Sequence, residues 1–214
     1  MVTNNIEEYK GVYVFAQQVD NEISGIALEL LGKGKELAAK LETEVTAVLI
    51  GYNVKGLADK LAEYGADKVI LPGVGAFGDA MEKLHRFGLV DVIRQVTAAG
   101  TPFLGICLGL QLLFRSSDES PGVEGLGVLD GEIVSIPPKE GYKIPHMGWN
   151  SLKIREGAGL FQGIGQDPYV YFVHSYYLKA EEDIVTARTE YGVSIDASVE
   201  KGNLFACQFH PEKS

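Results

Sequence analysis

Cysteine, basic charge and long apolar runs are all scarce in this chain, and each shortage excludes a class of protein. Two cysteines in 214 residues cannot form a disulfide framework, which indicates a reducing compartment. No run of about eighteen apolar residues is present, and the first residues contain no basic leader. The sequence therefore predicts a cytoplasmic protein that does not act at a membrane.

Basic side chains are outnumbered by acidic ones, 19 against 29, which gives a formal net charge of −10. A chain of this charge is poorly suited to the phosphate backbone, so we expect no nucleic-acid partner. Hydrophobic residues at 46% and charged residues at 22% match ordinary globular usage, which excludes collagen, coiled coil and extended disorder.

Short apolar strands alternate with helical segments through the first half of the chain. Such alternation implies right-handed crossovers and a mostly parallel sheet. From residue 122 onward, short strands and turns predict antiparallel additions to the same sheet. The predicted fold class is therefore α/β, a doubly wound, mostly parallel sheet with antiparallel additions in the C-terminal half. The predicted strands are 11–16, 45–50, 68–71 and 103–107, and the predicted helices are 28–41, 56–64, 79–99 and 108–115.

The pentapeptide GICLG at residues 105–109 is the strongest local signal for chemistry. It lies where an apolar strand (PFLGI) meets a helical segment (LGLQLLF). A nucleophile on such a tight turn needs small neighbours, because side chains at its flanks would collide. The unpaired N–H groups of the helix would favour the thiolate of Cys107. The alternative is a buried structural cysteine between two packing glycines.

His210 is the best placed of the four histidines to act as a base. It ends the apolar strand of residues 204–209 and begins the sequence His210-Pro211-Glu212. The proline stiffens the turn, so Glu212 can hold the imidazole ring while the other ring nitrogen faces the thiol. The alternative is a solvated loop histidine.

A glycine-rich loop, LPGVGAFG at residues 71–78, follows an apolar strand directly. Its glycines would let backbone N–H groups approach an oxygen closely, as an oxyanion hole requires. Phosphate binding is the competing interpretation, but no Gly-Lys-Ser/Thr ending is present and no GxGxxG opens a helix after the first strand. A plain turn is the third alternative.

Two further residues need an interpretation of their own. Cys207 lies three residues before His210, but strand alternation puts it on the face of Phe205 and Phe209, away from His210. We therefore expect Cys207 to pack in the core. Trp149 follows Met147-Gly148 in a polar loop, where it is either a core residue or the anchor of an interface.

Three stretches together resemble class I glutamine amidotransferases: PGVGAFGDAM (72–81), GICLGLQLLF (105–114) and QFHPEKS (208–214). PGVGAFG and PHMGWN (145–150) further resemble the glutamine amidotransferase subunit of imidazole glycerol phosphate synthase. The resemblance runs over about residues 66–214. It implies a cysteine-dependent glutaminase that takes ammonia from L-glutamine and forms a heterodimer with the cyclase subunit in histidine biosynthesis. The complex would act as a lyase, without a metal or organic cofactor.

The resemblance also implies roles for individual residues. The catalytic residues would be Cys107 as nucleophile, His210 as acid and base, and Glu212 as the group that orients His210. The oxyanion and the ends of glutamine would be held by Gly73, Val74, Gly75, Leu108, Gln111, Ser175 and Tyr176. The partner subunit would be faced by His146, Met147, Trp149, Asn150 and Lys213.

The N-terminal part of the sequence departs from this family. Residues 1–69 lack the family's Asp-Tyr-Gly-x-Gly-Asn turn and instead resemble the N-terminal segment of the electron transfer flavoprotein α subunit. The sequence ends at Ser214, where a closing helix would be expected to follow. We therefore expect a chimera, with a flavoprotein-like segment at 1–69 and an amidotransferase region at 70–214 in one continuous sheet. An inactive, misjoined chain and an electron-transfer partner are the alternative functions.

Overall fold

The structure is a computed structural model that describes residues 11–16, 18–19, 22–48, 68–165 and 167–214. It divides into two compact units, Met1–Ile70 and Leu71–Ser214. The predicted helix at 56–64 and the end of the predicted strand at 45–50 lie outside the described residues. Among the helices that are described, none is long and apolar enough to cross a membrane.

The first unit pairs two parallel strands beside one long helix. β1 (Val12–Phe15) lies parallel to β4 (Val45–Val48), and a short hairpin of β2 (Gln18–Val19) and β3 (Glu22–Ile23) follows β1. Helix α1 (Gly25–Lys40) is capped at its N-terminus by Ser24, whose hydroxyl accepts a hydrogen bond from the N–H of Ala27 at 3.2 Å. The predicted strands and helix of this segment are confirmed where they are described.

The second unit is built on a mixed sheet. Its strands lie in the order β5 (Val69–Gly73), β6 (Phe103–Cys107), β14 (Leu204–Cys207), β13 (Ser194–Lys201), β11 (Tyr176–Ala180) and β7 (Gly131–Ser135). β6 and β14 are parallel, whereas β14–β13, β13–β11 and β11–β7 are antiparallel. The α/β class with antiparallel additions from the C-terminal half is confirmed, and those additions make the sheet mixed.

Two further strands form a separate pair, and two more branch from the main sheet at β13. β8 (His146–Ser151) pairs antiparallel with β10 (Tyr169–His174), and β9 (Lys153–Ile154) pairs with β12 (Val185–Glu190), which in turn pairs with β13. A bridge between Tyr171 and His210 connects β10 to the segment after β14. Short 3-10 helices occur at Gly159–Phe161 and Pro211–Lys213.

The helices of the second unit differ from the predicted ones in two places. The single helix predicted at 79–99 is wrong: α2 (Phe77–Arg86) and α3 (Leu89–Ala98) are separate, because Gly88 adopts a left-handed φ of 63° between them. Helix α4 (Leu108–Leu112) ends before the predicted Arg115. The next two N–H groups bond three residues back instead of four, which tightens the helix end into a 3-10 turn.

Candidate active site

The turn between β6 and α4 presents Cys107 in a strained conformation. Cys107 has φ 56° and ψ −112°, outside the regions that residues with a side chain ordinarily occupy. A Cβ at Gly105 would lie 2.8 Å from the carbonyl oxygen of Gly109, and one at Gly109 would overlap the carbonyl oxygen of Leu71. The expectation that small residues must flank the cysteine is confirmed.

Hydrogen bonds hold both the backbone and the ring of His210 in place. Its N–H donates to the carbonyl oxygen of Tyr171 at 2.9 Å, and its Nδ1 lies 2.8 Å from Oε1 of Glu212. Its Nε2 is buried and has no hydrogen-bond partner within the described residues. Burial acts to raise the pKa of Glu212, but hydrogen bonds from its own backbone N–H and from His210 together outweigh burial and keep the pKa below its ordinary value. An ionised Glu212 accepts a hydrogen bond from Nδ1, so Nε2 is the ring nitrogen that remains available to take up a proton.

Cys107 and His210 line one cavity of about 400 Å³. The cavity is also lined by six of the other residues predicted for the site: Val74, Gly75, Leu108, Gln111, Ser175 and Tyr176. Gly73 lies just behind it, since a Cβ there would come within 3.1 Å of the Cβ of Leu108. The described residues contain no group of three or more His, Cys, Asp or Glu side chains that could hold a metal ion.

The surroundings of the Cys107 sulfur favour the protonated thiol. Burial raises the pKa of the Cys107 thiol to about 11, and the Glu212 carboxylate adds to the rise, although the Leu108 N–H and the Gln208 amide oppose it. The N–H of Leu108 at the helix N-terminus favours the thiolate, as predicted, but the effect of burial is larger. Formation of the thiolate needs a base within the cavity.

A line of amide hydrogen bonds leads from the cavity wall to the sulfur. Gln111 donates from Nε2 to the carbonyl oxygen of Tyr176 at 3.2 Å and to Oε1 of Gln208 at 3.0 Å. Gln208 in turn places Nε2 at 3.8 Å from the Sγ of Cys107. The sequence analysis did not single out Gln208, although it immediately precedes the Phe209-His210 pair.

Glu119 is a second residue that the sequence analysis missed. Its carboxylate accepts a hydrogen bond from the N–H of Phe77 at 2.7 Å, and the hydroxyl of Ser120 accepts one from Gly78 at 2.9 Å. These two bonds cap α2 directly after the glycine-rich loop, and Glu119 also lines the cavity. Both residues belong to the polar run RSSDES, which is typical of a loop. The sequence pattern therefore did not indicate that Glu119 lies at the cavity.

Two histidines form a buried pair next to the cavity. Nδ1 of His146 lies 3.0 Å from Nε2 of His174, and Nδ1 of His174 lies 2.8 Å from the carbonyl oxygen of Tyr176. The ring of His146 stacks on Tyr191 and Phe172, with centroids 3.9 and 4.7 Å apart. Burial lowers the pKa of each histidine to about 4, so both are neutral near pH 7.

The residues predicted to face a partner divide between two sides of β8. Met147 and Trp149 are 61% and 62% exposed, whereas His146 is only 2% exposed. Asn150 also turns inward, where its amide donates to the carbonyl oxygen of Glu190 at 3.0 Å. The prediction that His146 contacts a partner directly is therefore wrong, because strand alternation buries this side chain inside the chain.

Lys213 belongs to the exposed side of the same region. Its Nζ lies 5.0 Å from the centre of the ring of Tyr171, a residue of β10, the strand that pairs with β8. The ring of Tyr171 in turn contacts Trp149 edge to face. Lys213 thus lies beside Trp149 on one exposed surface.

Cys207 packs in the core, as predicted from strand alternation. It is 1% exposed in a cluster with Phe161, Phe172 and Phe209, and its thiol donates to the carbonyl oxygen of Phe209 at 3.5 Å. Burial raises the pKa of the Cys207 thiol above its ordinary value. Cys207 is not among the residues that line the cavity.

Comparisons with known proteins agree on one family. The sequence model of "Glutamine amidotransferase class-I" matches residues 35–214. The imidazole glycerol phosphate synthase subunit HisH of Methanothermobacter thermautotrophicus is 51% identical over 165 residues, 77% of this chain and 81% of the relative. The HisH subunit of Methanocaldococcus jannaschii is 49% identical over 148 residues, 69% of this chain and 74% of the relative.

Solved structures support the same fold. A glutamine amidotransferase aligns with a TM-score of 0.57 at 22% identity, over 94% of this chain and 91% of its own. A glutamine amidotransferase from Thermotoga maritima aligns with a TM-score of 0.54 at 16% identity, over 94% of this chain and 75% of its own. At these identities the two structures support the fold assignment alone.

Proposed function

Because this chain belongs to the class I glutamine amidotransferase family, we propose that it hydrolyses the side-chain amide of L-glutamine and passes the ammonia to the cyclase subunit of an imidazole glycerol phosphate synthase. The observation that carries the proposal is the strained Cys107 in one cavity with the unpaired Nε2 of His210. A nucleophile beside a base that a carboxylate orients is the arrangement that amide hydrolysis requires.

The reaction begins with proton transfer from Cys107 to Nε2 of His210. The thiolate then attacks the amide carbon of glutamine and forms a tetrahedral oxyanion, which backbone N–H groups of Leu108 and of residues 73–75 would stabilise. His210 returns its proton to the departing nitrogen, so ammonia leaves and a thioester remains. Water deprotonated by His210 next attacks the thioester, which releases glutamate and restores the thiol. Glu212 keeps the imidazole in the orientation that both proton transfers need.

The cavity wall offers one acidic side chain and several neutral polar groups to the substrate. Among the described residues that line it, Glu119 supplies the acidic side chain, which would attract the α-ammonium group of glutamine. Gln111, Ser175 and Tyr176 offer further polar atoms for the α-ammonium and α-carboxylate ends of glutamine. The carbonyl oxygen of Tyr176 already accepts bonds from His174 and Gln111, so this wall is fixed before a substrate binds.

The cyclase subunit would bind the exposed surface of β8 and β10, which contains Met147, Trp149, Tyr169 and Lys213. Met147 and Tyr169 are 61% and 67% exposed. Large exposed aromatic and thioether side chains next to each other are typical of a partner surface. The same strands carry His146 and His174, so partner contact and the cavity wall share one pair of strands.

A glutaminase assay tests the proposal. We expect slow release of glutamate from the isolated chain and faster release when the cyclase subunit of a HisH-containing synthase and its substrate are added. Trp149→Ala should weaken the stimulation and leave the basal rate nearly unchanged. The matched control is Tyr13→Ala, which also removes an exposed aromatic ring, from β1 in the first unit. No glutamate release under any condition would contradict the proposal.

We further propose that residues 1–69 replace the family's usual N-terminal segment with one related to the electron transfer flavoprotein α subunit. Support comes from the sequence resemblance and from residues 1–34, which lie outside the match to the class I family; residues 35–69 lie within that match. The replacement predicts a purified chain without visible flavin absorbance and a stimulation by the cyclase weaker than that of a HisH relative. Flavin bound at about one per chain would favour the electron-transfer alternative instead.

A further inference from the structure

Gln208 is a fully buried polar residue between two members of the cavity wall. It follows β14, is 0% exposed, and its backbone N–H donates to the carbonyl oxygen of Ala197 at 2.9 Å. Its side-chain amide reaches Gln111 on one side and Cys107 on the other. A buried amide costs free energy unless its hydrogen bonds are made, so these contacts define its position.

The direction of each hydrogen bond follows from a backbone carbonyl. The carbonyl oxygen of Tyr176 can only accept, so the Gln111 atom 3.2 Å from it is the Nε2 donor. The same nitrogen lies 3.0 Å from Gln208, which must therefore present its Oε1 there. The other end of the Gln208 amide, Nε2, then faces the Sγ of Cys107 at 3.8 Å.

This arrangement leaves Gln111 with one free polar atom. Both protons of its Nε2 are used by Tyr176 and Gln208, and its Oε1 makes no hydrogen bond within the described part of the chain. Gln111 can therefore accept a hydrogen bond from a substrate but cannot donate one. An acceptor suits the α-ammonium end of an amino acid and is mismatched to a carboxylate.

We propose that Gln208 is a positioning residue of the glutaminase site, which fixes Gln111 as an acceptor for the substrate and donates a hydrogen bond to the sulfur of Cys107. The substrate part of this inference rests on the proposed function, whereas the contact with the sulfur does not. A neutral donor next to the sulfur stabilises the thiolate more than the thiol, because hydrogen bonds to charged acceptors are the stronger ones.

Besides the Gln208 amide, charged and titratable groups surround the sulfur of Cys107. Glu212, whose carboxylate disfavours the thiolate, lies on the 3-10 helix after Gln208, and His210 is on the same segment. Glu119 and His174 line the cavity from the loop after α4 and from β10. Replacement of Gln208 by an apolar residue leaves all these groups in place, so it isolates the effect of the amide.

The test compares Gln208→Met with the wild-type full chain, because methionine keeps the volume and removes both hydrogen bonds. The rate of Cys107 alkylation by iodoacetamide is measured from pH 7 to 10, with the modified peptide identified by mass spectrometry. We expect the rate at a given pH to fall about tenfold, as a rise of about one unit in the thiol pKa would produce. The KM for glutamine should rise at the same time by about tenfold, because Gln111 loses its fixed orientation.

A matched control and a second variant make the result decisive. Thr186→Val removes a buried hydrogen bond of 2.8 Å to Ser198. Neither residue lines the cavity, so the alkylation rate should stay unchanged. Gln208→Glu keeps the acceptor for Gln111 but replaces the donor by an oxygen. It should therefore slow alkylation at least as much as Gln208→Met, with a smaller rise in KM, and it decides the question if Gln208→Met does not fold.

The outcomes separate this inference from the proposed function. Unchanged alkylation in folded Gln208→Met and Gln208→Glu would overturn the contact with the sulfur. A slower alkylation with an unchanged KM would overturn the role of Gln208 in holding Gln111. If the wild-type chain shows no glutaminase activity while both variants slow alkylation, the proposed function fails and the contact between Gln208 and Cys107 stands.

Discussion

Cys107 and Cys207 lie at the ends of neighbouring parallel strands, yet Cys107 lines the cavity whereas Cys207 packs in the core. Cys107 ends β6, Cys207 ends β14, and Cys207 is paired in register with Ile106. Both are buried, at 8% and 1% exposure. The difference therefore comes from the backbone turn and the neighbouring side chains, and burial of the thiol alone does not decide it.

The backbone decides what each sulfur contacts. After Cys107 the chain turns at once into α4, which directs the sulfur into the cavity that contains His210. After Cys207 the chain continues through Gln208 to Phe209, and the sulfur stays among aromatic rings of the core. Two glycines make the first turn possible, and no equivalent pair flanks Cys207 in the sequence.

The largest effect should come from exchanging each cysteine for serine. Cys107→Ser should lower the rate of glutamate release by at least about a thousandfold, because serine is a much weaker nucleophile in this setting. Cys207→Ser should keep the rate within about twofold and lower the free energy of unfolding by about 1 kcal/mol, since a hydroxyl replaces a thiol in an apolar cluster. Initial rates and urea unfolding of both variants check the contrast.

Gly109→Ala tests the turn itself. The added Cβ would overlap the carbonyl oxygen of Leu71, so we expect a loss of more than about 3 kcal/mol in the free energy of unfolding, together with loss of activity. Gly32→Ala is the matched control, because a Cβ at this position in α1 meets nothing within 4 Å. It should stabilise the protein by up to about 1 kcal/mol. Equal stability of the two variants would contradict the account of the turn.

Glu212→Gln should have a smaller effect on the rate. Glutamine can still bond to Nδ1 of His210 but does not stabilise the imidazolium that forms during proton transfer, so kcat should fall about a hundredfold. Lys213→Gln removes a charge from the adjacent residue and should leave basal kcat within about threefold. Glutamate release at saturating glutamine measures both, and similar losses in the two variants would argue against an orienting role for Glu212.

The smallest predicted effect is a pH dependence of stability. Histidine in the unfolded chain titrates near 6.5, whereas burial holds the pKa of His146 and His174 at about 4. Between these values the unfolded chain binds more protons, so the stabilisation is complete above about pH 6.5 and declines as the pH falls toward 4. His146→Phe should reduce the loss between pH 7 and pH 5 by about 1 kcal/mol. Urea unfolding at both pH values tests this, and an equal loss in both proteins would contradict it.

How much of this could be predicted depends on how local each signal is. The turn at Cys107 and the sequence His210-Pro211-Glu212 are set by neighbours along the chain, so the sequence was sufficient to predict them. The break between α2 and α3 rests on one residue, Gly88, whose left-handed φ a helical pattern does not reveal. Residues 145–150 were interpreted as a polar loop, whereas His146–Ser151 forms β8. Which face of this strand is buried depends on Phe172 and Tyr191, so His146 was misplaced.

The residues that were missed act across long sequence separations. Gln208 reaches Gln111, 97 positions away, and Cys107, 101 positions away. Glu119 caps a helix that begins 42 residues earlier. Such contacts follow from the pairing of β6 with β14 and from the chain reversal after α4. A pattern along the sequence contains no equivalent information.

The most direct test of the central claim is covalent labelling by a glutamine analogue in which a diazoketone replaces the amide. Such an analogue reacts with a nucleophile that is placed to attack the side chain of bound glutamine. We predict one adduct per chain, located on Cys107 by peptide mapping, with labelling slowed by added glutamine and abolished in Cys107→Ser. An adduct on Cys207, or labelling that glutamine does not slow, would contradict the account.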